Sequence, residues 1–183
     1  RLGGEVVVFD EENGAQSHKP FPPMPARPCI FEYIYFSRPD SIVHGRHVYA
    51  VRKRMGAQLA RESKVEADIV VPVPDSGVPA AIGYAQESGI PFELGIVRNH
   101  YVGRSFLQPS QGIRDLAVKV KLNLIGELVR GKRVVIIDDS IVRGTTSKAR
   151  VTSLKEAGAK EVHVLISCPA HRNPCVYGID FPE

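Results

Sequence analysis

RVVIIDDSIVRGTTS, Arg133 to Ser147, changes character in its middle. Up to Ile137 it is β-branched and apolar, the pattern of a strand buried on both faces of a parallel sheet. It stops at two carboxylates, Asp138 and Asp139, followed by Ser140. After Ile141, Val142 and Arg143 comes Gly144, then three hydroxyl side chains, Thr145, Thr146 and Ser147. From Thr146 the pattern turns helical, with Val151 and Leu154 on one face and Gly158 as a stop. Strand, polar loop and helix make half of a βαβ unit. An α/β fold with a mainly parallel sheet flanked by helices is therefore expected.

The loop suits a phosphate. Gly144 lets the backbone bend so that successive N–H groups face one concavity, and the three hydroxyls add donors at a helix N-terminus whose unpaired amides already favour an anion. The two acids cannot bind a phosphate themselves, since like charges repel. They need hydroxyls to accept from, or a cation between them and the phosphate. A sugar phosphate carrying Mg²⁺ supplies both. A solvated turn with a helix cap is the plain alternative, but it needs none of this hydroxyl density.

VVIIDDSIVRGTTS closely resembles the phosphoribosyl-pyrophosphate (PRPP) signature of the type I phosphoribosyltransferases. Its wording is similar to that of the amidophosphoribosyltransferases, which open purine biosynthesis. The resemblance implies the type I phosphoribosyltransferase fold. It also implies that Asp138 and Asp139 are catalytic, accept ribose hydroxyls and help hold Mg²⁺. The 5-phosphate would lie along Ser140, Ile141, Val142, Arg143, Gly144, Thr145, Thr146 and Ser147.

Upstream, Ala67 to Val73 (ADIVVPV) reads as another buried strand, and Pro74-Asp75-Ser76-Gly77 leads from it into a helix over Pro79 to Glu87. A second strand thus ends in an acid, a hydroxyl and a glycine before a helix, a second anion cradle. VPDSGVPAAIGYA resembles the pyrophosphate loop of the same family. On that match Asp75, Ser76 and Gly77 hold pyrophosphate, with Ser76 helping to hold the metal.

Pro91 to Val97 reads as a third strand. Behind it, Arg98 to Asn123 is long and polar and carries Arg98, His100, Arg104, Arg114, Lys119 and Lys121, with Gly103 and Gly112 as hinges. A long loop in a compact domain is often a lid, and a cationic lid suits a pyrophosphate leaving group that must be shielded from water. The segment resembles the family's flexible loop KNRYVGRTFIQPSQ, with Arg98 where Lys is common and His100 where Arg is common. The likeness implies catalytic roles for Arg98, Tyr101 and Arg104, and a PRPP contact for Lys121.

Before these elements, GEVVVFD (4–10) reads as a strand, with a turn at Glu12-Asn13-Gly14 and a Pro-rich passage from Pro20 to Pro28. Cys29 to Ser41, CIFEYIYFSRPDS, is expected to be a strand entering a loop at Arg38-Pro39-Asp40. It resembles the CxxEYxYFxRPDS segment at the family's junction with its glutaminase domain. Residues 1–28 are accordingly expected to be an irregular connector from an upstream glutaminase domain, and 29–183 a phosphoribosyltransferase domain truncated at its C-terminus. Val48 to Ser63 reads as a helix packed through Val51, Met55 and Leu59, its basic side solvated. Glu161 to Ser167 should be a parallel partner strand. The tail SCPAHRNPCVYGIDFPE resembles SxPxxxxPCxYGIDxP.

With 183 residues, 43% hydrophobic and 24% charged, the chain can bury one ordinary core. Its net charge of +4 is scattered, which suits an anionic small molecule better than nucleic acid. No apolar run approaches the ~20 residues of a membrane helix, and a signal-peptide pattern is lacking, so a cytoplasmic, membrane-free protein is expected. HExxH, GxSxG, Walker and GxGxxG patterns are missing. Cys29, Cys168 and Cys175 are too few for a disulfide framework. Cys29 and Cys175 match two of the four cysteines that hold an iron–sulfur cluster in one branch of the family. A [4Fe–4S] cluster needs four ligands, so it is expected only in an intact parent.

The activity implied is transfer of ammonia, drawn from glutamine in the intact enzyme, to PRPP, giving 5-phosphoribosylamine and pyrophosphate. The chain begins at Arg1 without the family's N-terminal cysteine nucleophile, so glutamine hydrolysis is not assigned to it. Purine nucleotides as feedback inhibitors and a homo-oligomer are implied for the intact enzyme. Two other readings stay open: a phosphoribosyltransferase acting on a nucleobase, and a non-catalytic PRPP or nucleotide sensor.

Overall fold

The structure is a computed structural model that describes residues 4–22, 24–25, 27–99, 122–141, 144–172 and 175, with only the backbone at 145. The chain divides into two compact units, Arg1–Ile30 and Phe31–Glu183.

The first unit holds a hairpin, β1 (Val6–Asp10) paired antiparallel with β2 (Gly14–His18). Its turn is closed by the Asp10 carboxylate, which accepts the N–H groups of Glu12 at 3.0 Å and Asn13 at 2.6 Å, while Gly14 takes φ +66°. The strand within 4–10 and the turn at Glu12-Asn13-Gly14 are as expected, while the rest of this irregular connector was not expected to pair. The second strand escaped notice because GAQSH has no apolar alternation; its register comes from the turn.

The second unit runs β3 (Ile42–Val43), β4 (Arg46–His47), α1 (Val48–Glu62), β5 (Ile69–Pro72), α2 (Val78–Ser88), β6 (Ile96–Arg98), β7 (Leu122–Leu124), α3 (Gly126–Val129), β8 (Arg133–Asp138), α4 (Thr145–Glu156) and β9 (Glu161–Ile166). β8 is the middle of a parallel sheet ordered β5-β8-β9. Ile69 stands opposite Val134, and Asp138 opposite Ile166. Side chains alternate across a strand, so both faces of β5 and β8 are apolar and both are covered. Val70, Val135 and Ile137 meet Ala80, Ala81 and Tyr84 of α2 on one face. Ile69, Val71, Val134 and Ile136 meet Ile96, Val129 and Leu154 on the other. This is the α/β architecture expected, with helices flanking a parallel sheet.

Three local expectations are corrected. Cys29–Ser41 does not enter as a strand: Glu32–Phe36 forms a wide helical turn, closed by the Ser37 N–H donating to the Glu32 carbonyl at 3.0 Å. Aromatic residues favour strands only where they fit a pleated surface. Here Phe31 and Ile34, three residues apart, are buried together while Tyr35 and Phe36 face out.

Nor is the basic side of α1 wholly solvated. The buried stripe is Val48, Arg52, Gly56 and Ala60, because α1 crosses α2 backbone to backbone. A β-carbon on Gly56 would overlap the Ala80 carbonyl, and one on Gly83 the Lys53 carbonyl. Arg52, only 4% exposed, donates from Nε to the Tyr33 carbonyl at 2.6 Å and from a terminal nitrogen to the Ser37 carbonyl at 2.8 Å.

Finally, Pro91–Val97 is not one strand. Phe92 bridges Val70 in parallel, and the chain then breaks at Gly95, which packs on Val71 and Val129. β6 follows and pairs antiparallel with β7.

Candidate functional site

The carboxyl end of β8 is the centre of the site, as expected where a parallel sheet presents its strand ends to ligands. Asp138 and Asp139 are 8% and 5% exposed, so the acid pair is not a solvated turn. Their backbones are tied to the chain leaving β9: the Ser167 N–H donates to the Asp138 carbonyl at 3.0 Å, and the Cys168 N–H to the Asp139 carbonyl at 2.9 Å.

The side chains are held just as tightly. Asp138 Oδ1 accepts the Asp139 N–H at 2.9 Å, and its Oδ2 accepts from the Arg150 guanidinium at 2.5 Å. Asp139 Oδ1 accepts the Ser140 hydroxyl at 2.5 Å. Burial pushes the Asp138 carboxyl above its ordinary pKa; the Arg150 charge opposes this and the Asp139 charge adds to it. Burial also lowers the pKa of the Arg52 guanidinium, against the pull of the Asp139 charge. The Cys168 thiol is raised by burial first and by Asp139 second, and its Sγ lies 3.5 Å from His171 Nε2.

The Pro74–Gly77 loop lies beside this strand end. The Val73 N–H donates to the Ile137 carbonyl at 2.8 Å, and the Gly77 N–H to the Val73 carbonyl at 3.0 Å. A β-carbon on Gly77 would overlap the Ile137 carbonyl oxygen, so glycine is what lets the second loop close on the first. The Pro74–Asp75 peptide is cis. Asp75 is exposed and accepts from Arg98 at 2.7 Å, which joins this loop to the end of β6 where the expected lid begins.

Gly144 caps α4 with φ +71°, the left-handed conformation that glycine tolerates. Ser147 is half-buried, Thr146 is exposed, and Ile141 is 47% exposed. The structure thus brings together Asp138, Asp139, Ser140, the Asp75–Gly77 loop and Arg98. Tyr101, Arg104, Lys121, Val142 and Arg143, together with His100, lie outside the described residues, as does the side chain of Thr145.

Two residues were missed from sequence, Arg150 and Arg52. Each is a cation falling on the inward stripe of its helix. That was the available signal: Arg150 follows Ser147 by three and precedes Leu154 by four, and Arg52 lies four from Val48 and from Gly56.

Among the described residues no group of three or more His, Cys, Asp or Glu side chains could hold a metal. A Mg²⁺ ion commonly uses one or two carboxylates plus substrate phosphates, and the buried Asp138 and Asp139 would be the carboxylate share of such a set. The three cysteines of this chain are one short of the four ligands that an iron–sulfur cluster needs. No described helix is long and apolar enough to cross a membrane. A groove of about 730 Å³ opens at the opposite end of the sheet, beside Arg133 and Tyr84; it includes none of these residues.

A buried acid pair at the end of a central parallel strand, a glycine-capped helix beyond it and a second loop closing from the neighbouring strand match what the sequence resemblance to phosphoribosyltransferases implies. The chain belongs to that class: the phosphoribosyl transferase domain family matches residues 40–177. Within it, the chain is 56% identical to the amidophosphoribosyltransferase of Rhizobium etli over 98% of its own length, and 54% identical to that of Mycobacterium tuberculosis over 98%. It spans 37% and 34% of those relatives, about a third of their length. Among solved structures it superposes on the glutamine PRPP amidotransferase of Bacillus subtilis, complexed with ADP and GMP, with a TM-score of 0.81 at 54% identity. That match covers 97% of this chain and 39% of the other.

Proposed function

We propose that this chain is the PRPP-using part of an amidophosphoribosyltransferase. It transfers ammonia to C1 of PRPP, releasing pyrophosphate and forming 5-phosphoribosylamine, the first step of purine biosynthesis. One observation carries the reading: the buried Asp138–Asp139 pair ends the central strand beside the Asp75–Gly77 loop, in a chain more than half identical to amidophosphoribosyltransferases along nearly its whole length.

In this reading the two acids accept the ribose hydroxyls, and the 5-phosphate lies at the N-terminus of α4 along Ser140 to Ser147, where unpaired amides and hydroxyls converge. Pyrophosphate lies between Asp75-Ser76-Gly77 and the cations Arg98, Arg104 and Lys121, with Tyr101 in the same segment. Mg²⁺ on the diphosphate, near Asp138, Asp139 and Ser76, would neutralise the leaving group. As the C1–oxygen bond lengthens, negative charge grows on pyrophosphate, and Arg98 is already anchored to the loop that receives it. Ammonia is itself a competent nucleophile, so positioning and leaving-group stabilisation carry the rate.

In a longer parent the ammonia comes from glutamine through a glutaminase domain, and ammonia added in solution would reach the same site. The Bacillus subtilis relative complexed with ADP and GMP supports purine nucleotides as regulators of such a parent. A [4Fe–4S] cluster using Cys29 and Cys175 belongs to a parent that supplies two further ligands.

The test is pyrophosphate release from Mg²⁺-PRPP with ammonium salt, with hypoxanthine and with no acceptor. Release stimulated by ammonium alone is expected. Stimulation by hypoxanthine would point to a nucleobase transferase, and PRPP binding without any release to a sensor.

A further inference from the structure

Arg150 rises from the second turn of α4 into the back of the acid pair. Its guanidinium is 2.5 Å from Asp138 Oδ2, and the two side chains are 18% and 11% exposed. Among the described residues the buried Arg150 Nε has no hydrogen-bond partner, and Asp138 is the one carboxylate bonded to this guanidinium. With Oδ1 taken by the Asp139 N–H, Asp138 has a donor on each oxygen, one fixed by the strand and one by the helix. The only bond to the Asp139 carboxylate among the described residues comes from the hydroxyl of the next residue, Ser140, so no second element of the fold anchors it.

We propose that Arg150 is a positioning residue: it locks the Asp138 carboxylate against α4, making Asp138 the fixed reference of the ribose-binding end and Asp139 the adjustable acceptor. The inference rests on the PRPP reading above. α4 begins at the proposed 5-phosphate loop, so the same ion pair fixes the spacing between phosphate and ribose hydroxyls. The loop proposed for pyrophosphate follows the neighbouring strand β5, and among the described residues no side-chain hydrogen bond or ion pair joins it to Arg150.

This difference supplies the experiment. Ribose 5-phosphate and inorganic pyrophosphate are titrated separately into the wild-type chain, Arg150→Met and Arg150→Lys by calorimetry. Wild type should bind both. Arg150→Met should weaken ribose 5-phosphate roughly tenfold or more, the size of loss typical when a residue that orients a metal-ligating side chain is removed, with pyrophosphate affinity unchanged. Arg150→Lys should fall between the two, and it carries the same comparison if Arg150→Met does not fold. Wild-type affinity for ribose 5-phosphate in both variants, or proportional loss of both ligands, overturns the positioning role. Failure of the wild-type chain to bind either ligand would instead overturn the PRPP reading, and the role with it.

Discussion

Gly77 lies against the carbonyl of Ile137, the residue just before the acid pair, with no room between them for a β-carbon. The contact brings two loops from neighbouring parallel strands within reach of the one ligand proposed above. The glycine lets the Pro74–Gly77 turn sit on the end of β8, so the groups proposed for pyrophosphate and those proposed for ribose would share a common wall.

Gly77→Ala should therefore be costly out of proportion to one methyl group. The neighbouring atoms are backbone, of Ile137 and Val73, and cannot swing aside. Overpacking of this kind costs about 1–3 kcal/mol. Denaturant unfolding should show that loss together with weaker pyrophosphate affinity; an unchanged midpoint would mean that the loop stands off the strand.

Arg52→Met should release the Glu32–Phe36 turn. Two carbonyls, of Tyr33 and Ser37, would lose charged donors at 2.6 and 2.8 Å. Hydrogen bonds to charged groups contribute roughly 1.5–3 kcal/mol each, so a loss of about 3 kcal/mol is expected. Hydrogen exchange should locate the effect, with faster exchange at the Ser37 amide.

The opposite end of β8 makes a pH prediction. The Arg133 guanidinium and then its backbone N–H hold the Asp68 carboxyl below the usual 3.8. A carboxyl that releases its proton more readily when folded contributes stability above its unfolded pKa, and the contribution is lost as pH falls through the lower folded value. Asp68→Asn should flatten this acid limb, read as the urea midpoint against pH below about 4. An acid limb identical to wild type would show that Asp68 is not linked to folding.

The central strand was readable because four β-branched residues run without interruption into two acids, and a strand buried on both faces leaves no other pattern. α4 was readable from Val151, Leu154 and the terminal glycines. The Phe31–Phe36 aromatics were ambiguous, since they suit a pleated surface and a helical turn equally well until Ile34 and Phe31 are seen to share a buried side. Arg52 and Arg150 were hidden for a different reason. Their partners lie 15 to 19 and 12 residues away, so local pattern gives only a cation on an inward stripe, and the fold alone shows what it pairs with. Strand β2, with no apolar residue except Ala15, had no periodic signal at all.

Within the acid pair, Asp138→Asn is the less clean substitution. It leaves Arg150 buried without its partner, and removing one member of a buried pair costs about 3–5 kcal/mol. Asp139→Asn spares that pair. The decisive measurement is therefore ammonium-dependent pyrophosphate release from Mg²⁺-PRPP by the wild-type chain and by Asp139→Asn, each with its thermal midpoint recorded. Release by wild type and its loss in Asp139→Asn, at a midpoint close to wild type, is the expected result. Undiminished release by Asp139→Asn, or wild-type release that ammonium does not stimulate, would contradict the assignment of this site.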